Sequence, residues 1–205
     1  MAQTEQKNQN VNKQFEELQS LLERAMALQT SMVLFEWDDE TLAPKGAAEH
    51  TARVIGSLSE QYQEILASMR FKELLDACQK AEKENAGVFD EVQSAILREA
   101  AEEQERLSCI PPEEYRAYAE LTARATGIWT RAREKNDFAS FAPVLKEIIS
   151  YQKKFAAYRA KPGQKLYDVM LDTYEKGFNM EMLDPFFELM KGKIVPLLKE
   201  SAERS

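Results

Sequence analysis

The chain has 205 residues, of which 44% are hydrophobic, enough to bury one sizeable core. Its formal charge of −8 argues against nucleic acid, whose phosphates need a basic stripe, and against an anionic membrane surface. No apolar run approaches the ~20 residues of a bilayer span. The opening MAQTEQKNQN lacks the apolar middle of a signal peptide and is expected to be a disordered polar tail over residues 1–10.

From residue 11 to 205 the composition points to a single all-helical domain. Glycines number only 7, and Ala, Leu, Glu, Lys, Gln and Met dominate. Leu18, Leu21, Ala25, Leu28, Met32 and Phe35 fall on one stripe of a first helix. Pro44 and Gly46 then break the chain. Ile55, Leu58, Tyr62, Ile65 and Met69 repeat the stripe in a second helix. A short third helix covers about Phe71 to Lys83 and stops at Asn85-Ala86-Gly87. A fourth ends at Pro111-Pro112, which opens a long fifth, because proline is tolerated in a first turn. Its stripe is Tyr118, Leu121, Ala125, Ile128 and Ala132. Asn136-Asp137 separates it from a sixth helix carrying Phe141, Leu145, Ile148, Phe155 and Tyr158. Lys161-Pro162-Gly163 ends the sixth. A short seventh helix runs around Leu166 to Tyr174, and Asn179 is placed to cap the last. Pro196 inside that last helix is expected to bend it. The fold class is therefore all-α, with about eight helices in antiparallel hairpins.

The chemistry is constrained by a histidine count of 1. An HExxH zinc site needs two histidines one turn apart, and a di-iron bundle needs two Glu-x-x-His pairs. His50 alone supplies neither. No Gly-x-Ser-x-Gly elbow presents a nucleophile and no glycine-rich loop cradles phosphate. His50, in the opening turns of the second helix, reads as a surface or half-buried helical histidine. Cys78 and Cys109 form no CxxC pair and read as buried free thiols of a reducing, cytoplasmic protein, with a disulfide between them left open.

The acidic run Asp38, Asp39, Glu40 with Thr41 reads as a set of capping groups at the start of a helix. Trp37 beside it is expected to fold back on the core. The alternative is that this run lines a groove that binds something. AAEEQERL, residues 100–107, reads as a solvated helical face. Arg124, Arg131, Arg133 and Lys135 form a basic patch, expected to pair with neighbouring glutamates. Phe186, Phe187, Met190, Ile194 and Leu197 of the last helix are expected in the core.

Three segments carry a family resemblance. WDDETLAPKGAAEHTARVIGSLSE resembles the N-terminal signature of the thermostable carboxypeptidase (carboxypeptidase Taq) family through Trp37, Asp38, Glu40, Thr41, Pro44 and Gly46. AREKNDFASFAPVLKEII is similar to a second family segment through Arg133, Asn136, Asp137, Phe138, Phe141, Pro143 and Leu145. The third, from Tyr167, Asp168 and Leu171 through Asp172, Tyr174 and Glu175 to Gly177, resembles the family's Tyr-Asp-x-Leu-Leu-Asp-x-Tyr-Glu-x-Gly stretch. Met170 stands at one expected leucine, and Leu42-Ala43 replaces the usual pair before the proline.

The resemblance implies a helical N-terminal lobe that forms one wall of a substrate groove. The zinc-binding HExxH motif of the family has no counterpart here. No catalytic, cofactor-binding or metal residue therefore carries over, and zinc is expected only in a full-length relative. The chain is expected to be a part of such a zinc metallocarboxypeptidase, truncated before that motif and inactive alone. The competing reading is a stand-alone helical module that binds a peptide in the former groove or self-associates as a homodimer. A third reading, a hydrolase built around His50, has only that residue behind it.

Overall fold

The computed structural model describes residues 2–44 and 46–204. Among them are eight α-helices: α1 (Ala2–Thr41), α2 (Ala48–Leu66), α3 (Met69–Glu84), α4 (Glu91–Ser108), α5 (Pro112–Glu134), α6 (Phe138–Arg159), α7 (Leu166–Tyr174) and α8 (Met180–Glu203). The chain divides into two compact units, a first ending at Ile149 and a second beginning at Ser150, so the boundary lies within α6.

α1 begins at Ala2. With 40 residues it is about 60 Å long at the usual helical rise. The core of the first unit is built where α1, α2, α3 and α4 meet. Val11, Phe15, Leu18 and Ala25 of α1 close over Leu66, Phe71, Leu74, Cys78, Leu97 and Leu107. Phe15 and Phe89 lie with ring centroids 5.1 Å apart. The first predicted stripe is thus the buried face of α1 as far as Leu28 and Met32, while Phe35 beyond them is exposed. Met69 is also exposed and begins α3, because Ser68 accepts from the Phe71 N–H at 3.1 Å and starts a new helix.

The connections follow from local chemistry. Asp90 and Gln93 form a reciprocal capping box at the start of α4. Pro112 opens α5. Asn136 takes a left-handed conformation, φ 52°, that few residues other than glycine tolerate. Its N–H donates to the Arg133 carbonyl at 3.1 Å, and the Asp137 N–H donates to the Ala132 carbonyl at 2.8 Å. These two bonds are the Schellman closure of α5. Asp137 then turns its carboxylate to Ser140 and caps α6. The Asn-Asp pair of the second signature therefore ends one helix and starts the next.

α2 packs most extensively on α5. Gly56 makes that approach workable, because a Cβ there would lie 2.3 Å from the Glu120 Cγ. Glu120 crosses α2 at this point and binds Arg116 at 3.0 Å, while Arg116 reaches Glu60 at 2.9 Å. Below this pair Gln63 is fully buried. Its amide donates to the carbonyls of Leu107 (3.1 Å) and Ile110 (2.6 Å), holding α2 to the end of α4.

In the second unit, α7 and α8 are joined by the third signature. Asp168 accepts from the Met180 N–H at 2.9 Å and Asp172 from the Gly177 N–H at 2.8 Å. Gly177 has φ +83°, which suits glycine at this turn. Asn179 caps α8 as expected, accepting from the Met182 N–H at 3.0 Å. The last helix departs from expectation in its burial. No residue of α8 is buried, and Phe186, Phe187, Met190, Ile194 and Leu197 are all exposed rather than in the core.

Candidate functional site

The acidic run after Trp37 does not start a helix. α1 continues to Thr41, whose hydroxyl donates to the Trp37 carbonyl at 2.6 Å. The N-cap of α2 is Ala47, which makes no side-chain cap bond. Asp38, Asp39 and Glu40 thus occupy the last turns of α1, where the helix dipole is negative. Carboxylates are disfavoured there by roughly 0.3–1 kcal/mol each at low salt. Glu36 and Glu40, spaced i,i+4, add a like-charge repulsion of about 0.2–0.5 kcal/mol. Trp37 is 57% exposed and does not anchor the core.

All of these carboxylates except Asp38 form one side of a cleft of about 240 Å³ between the end of α1, the start of α2 and the middle of α5. Glu36, Asp39 and Glu40 line it from α1 and Ala48, Thr51, Ala52 and Ile55 from α2; Thr122, Ala123 and Thr126 complete it from α5. Glu36 is exposed overall, yet the water it loses at the cleft wall raises its carboxyl above the ordinary range, and Glu40 adds to the rise. Thr51 is only 8% exposed, and its hydroxyl has no hydrogen-bond partner among the described residues. The alternative reading of the acidic run, as lining for a groove, fits its position better than the capping reading.

The remaining candidates lie elsewhere. Pro44 and Gly46 are exposed in the α1–α2 corner. His50 is exposed on α2 and does not line the cleft. Phe138 is exposed at the start of α6, and Tyr167 is exposed on α7. Among the described residues no three metal-ligating side chains are grouped to hold an ion. The 100–107 stretch is less solvated than its charge suggested. Ala100 and Leu107 are buried, and Glu103 accepts from the Tyr62 hydroxyl at 3.0 Å and pairs with Arg106. Burial raises the Tyr62 phenol, and the nearby Glu103 carboxylate raises it further. In the basic patch Arg124 reaches Glu120 at 3.7 Å and Glu49 at 3.9 Å, while Arg133 lies 5.2 Å from the centre of the Trp129 ring. Neither cysteine is in a disulfide; Cys78 is buried as expected but Cys109 is exposed. Sequence reasoning missed Thr51, Thr126 and Glu36. The i,i+4 pair Glu36/Glu40 was visible in the sequence, but the threonines gain meaning only when α5 is brought against α2.

Comparison with known proteins places these helices in a wider context. The family model described as carboxypeptidase Taq (M32) metallopeptidase matches residues 17–205. Carboxypeptidase 1 of Bacillus subtilis (strain 168) is 34% identical over 180 residues, covering 88% of this chain but 35% of its own length. Thermostable carboxypeptidase 1 of Thermus thermophilus is 30% identical, with 88% of this chain and 37% of the relative covered. Among solved structures, the BsuCP crystal structure superposes with a TM-score of 0.86 at 32% identity, over 92% of this chain and 37% of that one. The Pyrococcus furiosus carboxypeptidase in its apo-Mg form gives 0.73 at 29% identity, over 93% and 37%. The chain thus spans a little over a third of the length of the relatives it matches.

Proposed function

This chain belongs to the carboxypeptidase Taq (M32) metallopeptidase family, and we propose that it forms the N-terminal scaffold lobe of a zinc-dependent metallocarboxypeptidase, one wall of the groove that receives a peptide. The observation that carries this is the lopsided coverage: 92% of this chain superposes on 37% of a related enzyme. The residues present do not fit the metal. His50 is the only histidine, it is exposed, and the described residues hold no group of three ligands. No step of peptide hydrolysis is therefore assigned to this chain. Two of its three signature segments make structural hydrogen bonds: the helix ends at Asn136-Asp137, and the α7–α8 turn at Asp168 and Gly177. The exposed apolar residues of α8 suit a surface that other parts of an enzyme would cover.

The test is release of a C-terminal amino acid from a blocked dipeptide, with zinc supplied. We expect no release above buffer. Release that scales with protein and disappears with chelator overturns the reading.

A second reading is favoured by the same helix. Leu189, Met190, Ile194, Leu197 and Leu198 are exposed on α8, and self-association would cover them in a stand-alone interaction module. Sedimentation equilibrium distinguishes the two: a concentration-independent monomer removes the second reading, and a tight dimer supports it.

A further inference from the structure

We propose that Met32 is a redox-modification site, a thioether that a hydroperoxide converts to a single sulfoxide epimer because the Ser59 hydroxyl covers one side of the sulfur. That hydroxyl donates to the Met32 Sδ at 3.0 Å and so joins α2 to α1. The choice of partner is unusual. A thioether is a weak acceptor, and hydroxyls within helices ordinarily turn back to a carbonyl of the preceding turn. Those of Ser31, Thr122 and Thr130 do so here, each bonding the carbonyl four residues earlier. Ser59 instead reaches across to the neighbouring helix. It is 5% exposed and has no other partner among the described residues.

The position of Met32 sets both its access and its consequence. The residue is half-buried, so a small oxidant can reach it from solvent. Met26, Met69, Met182 and Met190 are exposed, and none of them packs on the core of the first unit. Among the described residues Met32 is the methionine that does. Oxidation turns a flexible apolar side chain into a polar, chiral one. At Met32 that change falls on the joint between α1 and α2, whereas at the exposed methionines it falls in solvent.

The step balances with a hydroperoxide as oxidant. A sulfur lone pair attacks the terminal oxygen, the S–O bond forms and the O–O bond breaks. The proton of the transferred oxygen passes to the leaving one, which departs as water or an alcohol. The sulfur is oxidised by two electrons and the peroxide is reduced by two. A thioether sulfur carries two lone pairs, and attack through one or the other gives opposite epimers. The Ser59 hydroxyl occupies one of them, so oxygen adds at the other. The sulfur is left a poorer acceptor, and Ser59 loses its bond. Reversal is stereospecific too, since one reductase serves each sulfoxide epimer.

The full chain is treated with hydrogen peroxide and its methionines are mapped by peptide mass spectrometry. The fragment carrying Met32 is then offered separately to the two methionine sulfoxide reductases. One reductase is expected to repair Met32 and the other to leave it, whereas chain oxidised in urea yields a fragment that each repairs in part. Ser59→Ala, shown to be folded by circular dichroism, is expected to give both epimers without urea. Oxidation of the unaltered chain should lower the urea midpoint by about 0.5 M, as loss of one hydrogen bond does. Met32→Leu, oxidised at its exposed methionines, should keep its own midpoint. Met32 left intact while Met26 and Met69 react overturns the proposal. So do both epimers from the folded chain, a single epimer from Ser59→Ala, a midpoint that does not fall, or an equal fall in Met32→Leu.

Discussion

Gly56→Ala is the sharpest mechanical test of how α2 and α5 are joined. Within a helix this change ordinarily gains about 1 kcal/mol. Here the added Cβ would sit 2.3 Å from the Glu120 Cγ, 2.8 Å from its Oε1 and 3.0 Å from its Cδ. Cγ is close to the backbone of α5, so Glu120 cannot simply swing its tip away. Overpacking of this kind costs roughly 1–3 kcal/mol. Glu120 must also loosen its hold on Arg116 and Arg124, which adds to the loss. The net expectation is destabilisation of about 1 kcal/mol. With a urea dependence of about 2 kcal/mol per molar, the unfolding midpoint falls by about 0.5 M. Gly127→Ala supplies the control, because its Cβ would meet only the Arg131 Nη1 at 3.5 Å. That variant should gain about 1 kcal/mol and move the midpoint up. Urea titrations followed by circular dichroism compare the two. Adding Glu120→Ala to Gly56→Ala removes the clashing atoms and should restore part of the loss. If Gly56→Ala proves as stable as Gly127→Ala, the close approach of α2 and α5 is wrong.

Other consequences can be checked on the same protein. Gln63→Leu removes the amide donor from the Ile110 carbonyl and one of several donors from the Leu107 carbonyl, and should cost about 1–3 kcal/mol in chemical unfolding; a change under about 0.5 kcal/mol would contradict the buried bonds. Asn136→Ala should cost about 1 kcal/mol and Asn136→Gly little, since φ is 52°; equal losses for the two would refute the left-handed closure. The Asp137 carboxyl is held below its ordinary value, chiefly by the Ser140 hydroxyl. Its stabilising effect is therefore present above the unfolded-state value and lost as pH falls through the lowered one. Asp137→Asn should flatten that acid limb of stability, and an unchanged limb would exclude this contribution. Burial pushes the Cys78 thiol up to about 11 whereas Cys109 is exposed. A native thiol titration near pH 8 should find one fast equivalent, at Cys109, and rapid labelling of Cys78 would contradict its burial.

Much of the helical plan was legible because breakers and caps act locally. Pro112, Asn136-Asp137 and Asn179 each delimit a helix with their own backbone or side-chain atoms. Two features were not legible, for physical reasons. Asp38 to Thr41 carry capping residue types, but type alone does not say whether a cap begins or ends a helix; five residues lie between Thr41 and the Ala47 cap of α2. The apolar positions of α8 show that a surface favours burial, not that this chain buries it. The cleft belongs to a third kind. It is assembled from Glu36, Thr51 and Thr126 on three helices, and neither its volume nor the isolation of the Thr51 hydroxyl exists until they pack.

The central claim is that these residues serve as the scaffold of a carboxypeptidase whose chemistry resides elsewhere. It is tested most directly by grafting residues 17–205 in place of the matching segment of the Bacillus subtilis Carboxypeptidase 1. Release of C-terminal amino acids is then measured with zinc present. The account predicts a folded chimaera that retains hydrolysis, lost with chelator. A chimaera that folds and binds metal but releases nothing would contradict it.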